Sequence, residues 1–224
     1  MIGGFARHPV GCRDRDCGSA GTGAAVSRRR RGASARMMFY CVAAVLMSSQ
    51  VRANTATEPY INTKKPIAAP AGFAGICDRY QWACARDNVM TRAGLDELKL
   101  ARQVNRTVNL KTRSISDRRQ YGDDEVWALP TARGGDCEDF VLLKKMELIR
   151  HGVAPGKLLI ATVLDRRKAS HAVLVLRTDR GDLVLDNVRN QILPWWKTGY
   201  SFLRIQNPDA PSKWSAALAG GVFR

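Results

Sequence analysis

The stretch of this chain best suited to chemistry is Gly134-Gly135-Asp136-Cys137-Glu138-Asp139. The two glycines permit close approach of another segment, Asp136 is a good helix N-cap, and Cys137 falls in the first turn that follows. There the unpaired backbone N–H groups and the helix dipole favour a thiolate, the reactive form of cysteine. Three carboxylates beside the sulfur oppose that charge, so the pattern calls for a cation as well as a base. His171 can be the base. It opens the run His171-Ala172-Val173-Leu174-Val175-Leu176, whose period of two sets His171, Val173 and Val175 on one face. Asp186 closes the next run, Leu183-Val184-Leu185-Asp186. A two-residue loop at Thr178-Asp179 places His171 opposite Asp186, and one at Asp179-Arg180 places them diagonally. Either loop leaves both side chains on the same face. An acid so placed fixes the imidazole tautomer, making Cys137, His171 and Asp186 a nucleophile, a base and an orienter. The bland alternative is a buried cysteine packed as a small hydrophobe and a strand histidine hydrogen-bonded in the core. His151, in a last helical turn before Gly152, reads as ordinary capping.

The elements that must hold these residues follow from the patterning. Leu95, Leu98, Val104 and Val108 recur on one face of a helix that starts near Thr91 and ends near Leu110. A second helix fits Asp136 to His151, stopped by Gly152. Tyr121-Gly122-Asp123-Asp124 and Pro130 mark loops. After Pro155-Gly156 come strand-like runs at 158–164, 171–176 and 183–188, with a further one at 200–205. Helices first and an antiparallel sheet afterwards make one α+β domain. Pro59, Pro66 and Pro70 among Thr, Ala and Lys make residues 54–72 a flexible linker ahead of a domain at 73–224.

Composition bears on the setting. The chain has 224 residues, with 36 Lys and Arg against 20 Asp and Glu, formally +16. Such a charge suggests nucleic acid, an anionic membrane surface, or a basic leader outside the fold. Residues 1–53 carry nine arginines and two acids, formally +7. They place Arg28-Arg29-Arg30-Arg31 before a short apolar run at 37–47, with Val51 and Ala53 spaced as a signal peptidase reads them. The run is shorter than the roughly 20 residues that span a bilayer. The expectation is a signal peptide cleaved near Ala53 and a periplasmic product of about 171 residues with charge +9. That product shows no nucleic-acid motif and no basic patch interleaved with aromatics, so no nucleic-acid partner is expected. It keeps three cysteines, of which Cys77 and Cys84 are the natural disulfide after export, leaving Cys137 outside the pair.

The ordered set Tyr121-Gly122, Trp127, Pro130, Gly135-Asp136-Cys137-Glu138-Asp139, His171-Ala172-Val173-Leu174 and Leu183-Val184-Leu185-Asp186-Asn187 resembles the bacterial transglutaminase-like cysteine peptidases, the family of the LapG-type periplasmic adhesin proteases. The upstream Val104-Asn105 and Val108-Asn109 are similar too, so the resemblance spans about residues 73–205. It implies a papain/transglutaminase-like fold, with Cys137 as nucleophile, His171 as general base and acid, and Asp186 as orienter. It also implies a calcium ion beside the cysteine. Asp136, Glu138 and Asp139 match the acidic cluster that holds it, and carboxylate oxygens suit a hard cation. The expected partners are a protein substrate, a large surface adhesin cut after a pair of alanines, and an inner-membrane receptor for cyclic diguanylate. The Cys137 backbone N–H would hold the oxyanion together with Trp127 or a nearby amide.

Two other readings use the same residues. One is acyl transfer, as in transglutaminases or on peptidoglycan peptides; the other is a non-catalytic calcium-binding module. Trp195-Trp196 reads either as a rim of the core or as a contact for a partner or membrane surface.

Overall fold

A computed structural model describes residues 58–87 and 92–223. The leader, its apolar run and its cleavage site lie outside the described residues. Among the described residues, the four α-helices are α1 (Ile76–Arg79), α2 (Leu95–Lys111), α3 (Asp117–Gln120) and α4 (Cys137–Arg150). The strands are β1 (Pro66–Ile67), β2 (Leu158–Leu164), β3 (Ser170–Thr178), β4 (Gly181–Asp186), β5 (Arg189–Pro194), β6 (Ser201–Asn207) and β7 (Ala210–Ala219). They form one antiparallel sheet in the order β1-β7-β6-β2-β3-β4-β5. The helices-then-sheet expectation therefore holds, and the fold is α+β. No described helix is long and apolar enough to cross a membrane.

Alternation along the strands divides the core into two layers. Leu158, Ile160, Ala172, Leu174 and Leu176 pack with Ala101 and Val104 of α2 and Phe140, Val141 and Leu148 of α4. The intervening Leu159, Ala161, Val163, Val173, Val175 and Val184 pack with Ile61, Trp195, Tyr200 and Phe202. Trp195 belongs to this second layer, and its indole N–H donates to the Glu58 carbonyl at 3.0 Å. That is the rim-of-core reading for this tryptophan.

Thr178 pairs with Gly181 and Leu174 with Leu185. The loop is thus Asp179-Arg180, and His171 and Asp186 stand diagonally on a shared face. Besides β1, which falls in the expected linker, two strands escaped the sequence pattern. β5 (Arg-Asn-Gln-Ile-Leu-Pro) is an edge strand whose first half is polar, and β7 carries a single Trp and a single Leu among alanines, serines, a proline and a lysine. Neither carries the β-branched run that marks a strand.

Residues 58–72 differ from the expected flexible linker. Ile61 is buried and donates its backbone N–H to Asp182 Oδ2 at 2.8 Å, and the Tyr60 hydroxyl donates to the Thr178 carbonyl at 3.2 Å. Pro66–Ile67 then pairs with β7. The prolines do keep the segment extended, but Ile61 supplies apolar area that the sheet buries, so from Glu58 onward it is a strap on the domain. Cys77 and Cys84 form the expected disulfide.

Candidate active site

Cys137 is the first residue of α4 and is fully buried. Its position depends on Gly134 and Gly135. Gly134 has φ +119°, and a Cβ there would meet the Arg113 carbonyl at 2.0 Å; one on Gly135 would meet Asp139 Oδ2 at 2.4 Å. Lacking a side chain, Gly134 lets the backbone at 113–115 bond directly to 134–135, and Gly135 leaves room for the Asp139 carboxylate. Gly135 N–H donates to Arg113 O at 3.1 Å and Ile115 N–H to Gly135 O at 3.0 Å. That pairing carries α3, with Asp117, to the start of α4.

Asp136 occupies the N-cap position, but its side chain does not cap the helix. It turns instead to accept the Asp117 backbone N–H at 3.2 Å. Asp117, Asp136 and Glu138, all buried, bring one carboxylate oxygen each within 4.8 Å of one another. Glu138 Oε2 lies 3.1 Å from Cys137 Sγ. Asp139 stands beside this trio, its Oδ1 accepting the Ala128 N–H at 2.9 Å. Asp117 Oδ2 accepts the Val126 N–H. Asp117 was not among the expected ligands. It lies 19 residues upstream of Asp136, and only the Gly134–Gly135 crossing, itself visible as a glycine pair, brings it in.

Burial dominates the electrostatics of this cluster. It pushes Asp136 up to about 6 and Asp139 to about 8, raises Glu138 well above its ordinary value, and raises Asp117. Repulsion within the cluster adds to the effect at Asp136, Glu138 and Asp139, whereas Asp117 is raised further by the charges of Asp123 and Glu125. Asp117 Oδ1, Asp136 Oδ1 and Glu138 Oε1 are buried without a hydrogen-bond partner. An all-oxygen set of crowded, under-satisfied carboxylates fits a hard divalent cation.

The second half of the site lies on β3 and β4. His171 Nε2 is 2.9 Å from Asp186 Oδ1, with both residues buried. The Tyr200 hydroxyl donates to Asp186 Oδ2 at 2.6 Å, and its ring stands edge-on to the imidazole. Burial alone would raise Asp186. The hydrogen bond and charge of His171, with the Tyr200 hydroxyl and the Val188 amide, outweigh it and hold the carboxyl at about 2. The same carboxylate, together with burial, pushes Tyr200 well up. Helix α2 fixes the backbone here: Asn109 Nδ2 donates to the Asp186 carbonyl at 2.9 Å, and Asn105 Nδ2 to the Arg189 carbonyl at 3.1 Å. Sequence reasoning missed Tyr200 as a partner of Asp186, since nothing local marks a tyrosine in the segment before β6.

Helix α4 links the halves by packing against β3 and β4. Lys144, two turns beyond Cys137 and fully buried, is lowered to about 7 by burial while the charge of Asp186 acts against that shift. The structure thus brings His171 to Asp186 and Cys137 to Glu138. Trp127 is occupied elsewhere: its indole N–H donates to Glu125 Oε1 at 3.2 Å, and its ring packs edge-on against Phe73 and Trp214.

The family model for bacterial transglutaminase-like cysteine proteinases matches residues 63–220. This chain belongs to that family. It is accordingly a transglutaminase-like cysteine peptidase, and its α+β architecture is of the papain/transglutaminase-like kind. Among solved structures it is similar to calcium-bound LapG of Legionella pneumophila, at 22% identity and TM-score 0.47, over 58% of this chain and 74% of that one. It is also similar to EGTA-treated LapG of the same organism, at 25% identity and TM-score 0.44, over 50% of this chain and 63% of that one. A comparison with curated proteins finds no match.

Proposed function

We propose that this peptidase acts in the periplasm, after removal of the leader at 1–53, and cleaves a protein by attack of the Cys137 thiolate on a peptide carbonyl. The observation that carries the reading is the buried His171–Asp186 pair, on strands packed against the helix that begins with Cys137. With Asp186 accepting from Nε2, Nδ1 is the nitrogen that takes the thiol proton and returns it to the leaving amine. The amide of Cys137, in the first turn of α4, holds the oxyanion in this reading. Water then attacks the thioester, His171 accepts its proton, and the acid product leaves as the thiolate is regenerated.

Asp117, Asp136 and Glu138 are the residues that would hold calcium, with Asp139 beside them. When bound, the ion supplies the positive charge that offsets these carboxylates next to the thiolate. The family resemblance supports a large surface adhesin as substrate, cut after paired alanines, and an inner-membrane cyclic-diguanylate receptor as partner.

The test compares surface proteins of cells carrying the wild-type chain or Cys137→Ala. A large surface protein should be retained in the variant and released in the wild type; identical surface profiles would remove the adhesin reading. Incubation of the pure protein with an amine donor checks the reaction type, and amine incorporation exceeding hydrolysis would replace proteolysis by acyl transfer.

A further inference from the structure

Residues 126–129 are gripped from two sides. The amides of Val126 and Ala128 donate to Asp117 and Asp139, carboxylates of the acidic cluster at the start of α4. On the other side, the Trp127 carbonyl accepts from Arg79 at 3.0 Å, and the Leu129 N–H donates to the Tyr80 hydroxyl at 3.3 Å. Even-numbered residues face the acids and odd-numbered ones face away, the alternation of an extended backbone. Arg79 and Tyr80 belong to the loop closed by Cys77–Cys84. The far end of that loop is fixed too: the Ala83 carbonyl accepts from Lys145 Nζ at 2.8 Å and from Gln206 Nε2 at 3.2 Å. Lys145 lies on α4, the helix that carries Cys137 and Asp139. The bonds therefore close a circuit from α4 through Ala83, the disulfide loop and residues 127–129 back to α4. The disulfide closes the loop that carries both anchor points.

We propose that the Cys77–Cys84 loop is a positioning element of the active site, acting through Arg79 and Tyr80 on residues 126–129 and through them on Asp117 and Asp139. The proposal rests on the reading of Cys137 and its acidic neighbours as the working site. Neither Arg79 nor Tyr80 needs to touch substrate; each holds the backbone that holds the acids.

The experiment measures amide hydrogen exchange and peptide hydrolysis in Tyr80→Phe, Arg79→Ala, Arg79→Lys and the Cys77→Ser/Cys84→Ser double variant of the full chain. Exchange at Val126 and Ala128, whose own acceptors are untouched, should quicken by about tenfold, with β2 and β3 amides unchanged. The kcat should fall by about tenfold with KM within about twofold, and Arg79→Lys should recover part of the loss. If the double variant fails to fold, Tyr80→Phe and Arg79→Ala carry the test alone. Unaltered exchange at Val126 and Ala128 in folded variants overturns the proposal. A parent protein that hydrolyses no peptide defeats the nucleophile reading instead, and the exchange rates still decide whether the loop positions the acids.

Discussion

His171 and Asp186 are 15 residues apart in sequence and 2.9 Å apart in space, Nε2 to Oδ1, at a diagonal position across the β3–β4 hairpin. The carboxylate uses its other oxygen for the Tyr200 hydroxyl at 2.6 Å. With the Val188 amide also donating to Oδ1 at 3.1 Å, the direction of the carboxylate is fixed, and it in turn fixes the ring.

Replacing Asp186 by Asn should keep the fold and cost roughly 100- to 10,000-fold in kcat/KM, because the amide no longer holds the working tautomer or balances the imidazolium. Tyr200→Phe removes one hydrogen bond to a charged group, worth about 1.5 kcal/mol, or roughly tenfold. Hydrolysis of a fluorogenic peptide library by proteins of matched circular dichroism measures both. An Asp186→Asn enzyme within twofold of wild type would remove Asp186 from the mechanism.

Asp186 also gives the protein an acid-sensitive contribution to stability. Its folded value of about 2 lies below the ordinary 3.8. The contribution is therefore complete above that ordinary value and lost as pH falls towards 2. It amounts to about 2 kcal/mol. Urea midpoints of wild type and Asp186→Asn should differ most at pH 5 and converge towards pH 2. A difference that stays constant over that range contradicts the assignment.

The acids around Cys137 act in the opposite sense. Asp136 at about 6 and Asp139 at about 8 lie above 3.8, so the cation-free fold loses stability as pH rises through that window. Its Tm should fall from pH 5 to pH 8. Calcium at 100 times its Kd at pH 8 should restore about 2.7 kcal/mol, and the same calcium concentration should restore less at pH 5. Asp117→Asn should weaken calcium binding in a calorimetric titration, and equal binding by that variant would take Asp117 out of the set.

The strap gives a prediction that a tether would not. Ile61 is 2% exposed and packs in the layer with Trp195 and Tyr200. Ile61→Ala should cost about 2–4 kcal/mol in chemical denaturation. A change within about 0.5 kcal/mol, as for an exposed linker residue, would show that the sheet does not depend on the strap.

What the sequence by itself determined was local. The order Gly-Gly-Asp-Cys is enough to start a helix at a cysteine, and the alternation of 171–176 and 183–186 with a short polar loop is enough to put His171 and Asp186 on one face. The Cys77–Cys84 pair was legible from spacing and an oxidising setting. The tertiary structure decided everything that depends on distant segments. Asp117 joins the acids because Gly134 lets two backbones meet, and Tyr200 reaches Asp186 from the segment that leads into β6, three places from β4 in the sheet order. Asp136 leaves its capping role because the Asp117 amide lies within reach. Helical and strand periodicities encode which face a side chain takes. Which partner that face meets is fixed only when the sheet order β1-β7-β6-β2-β3-β4-β5 brings the segments together.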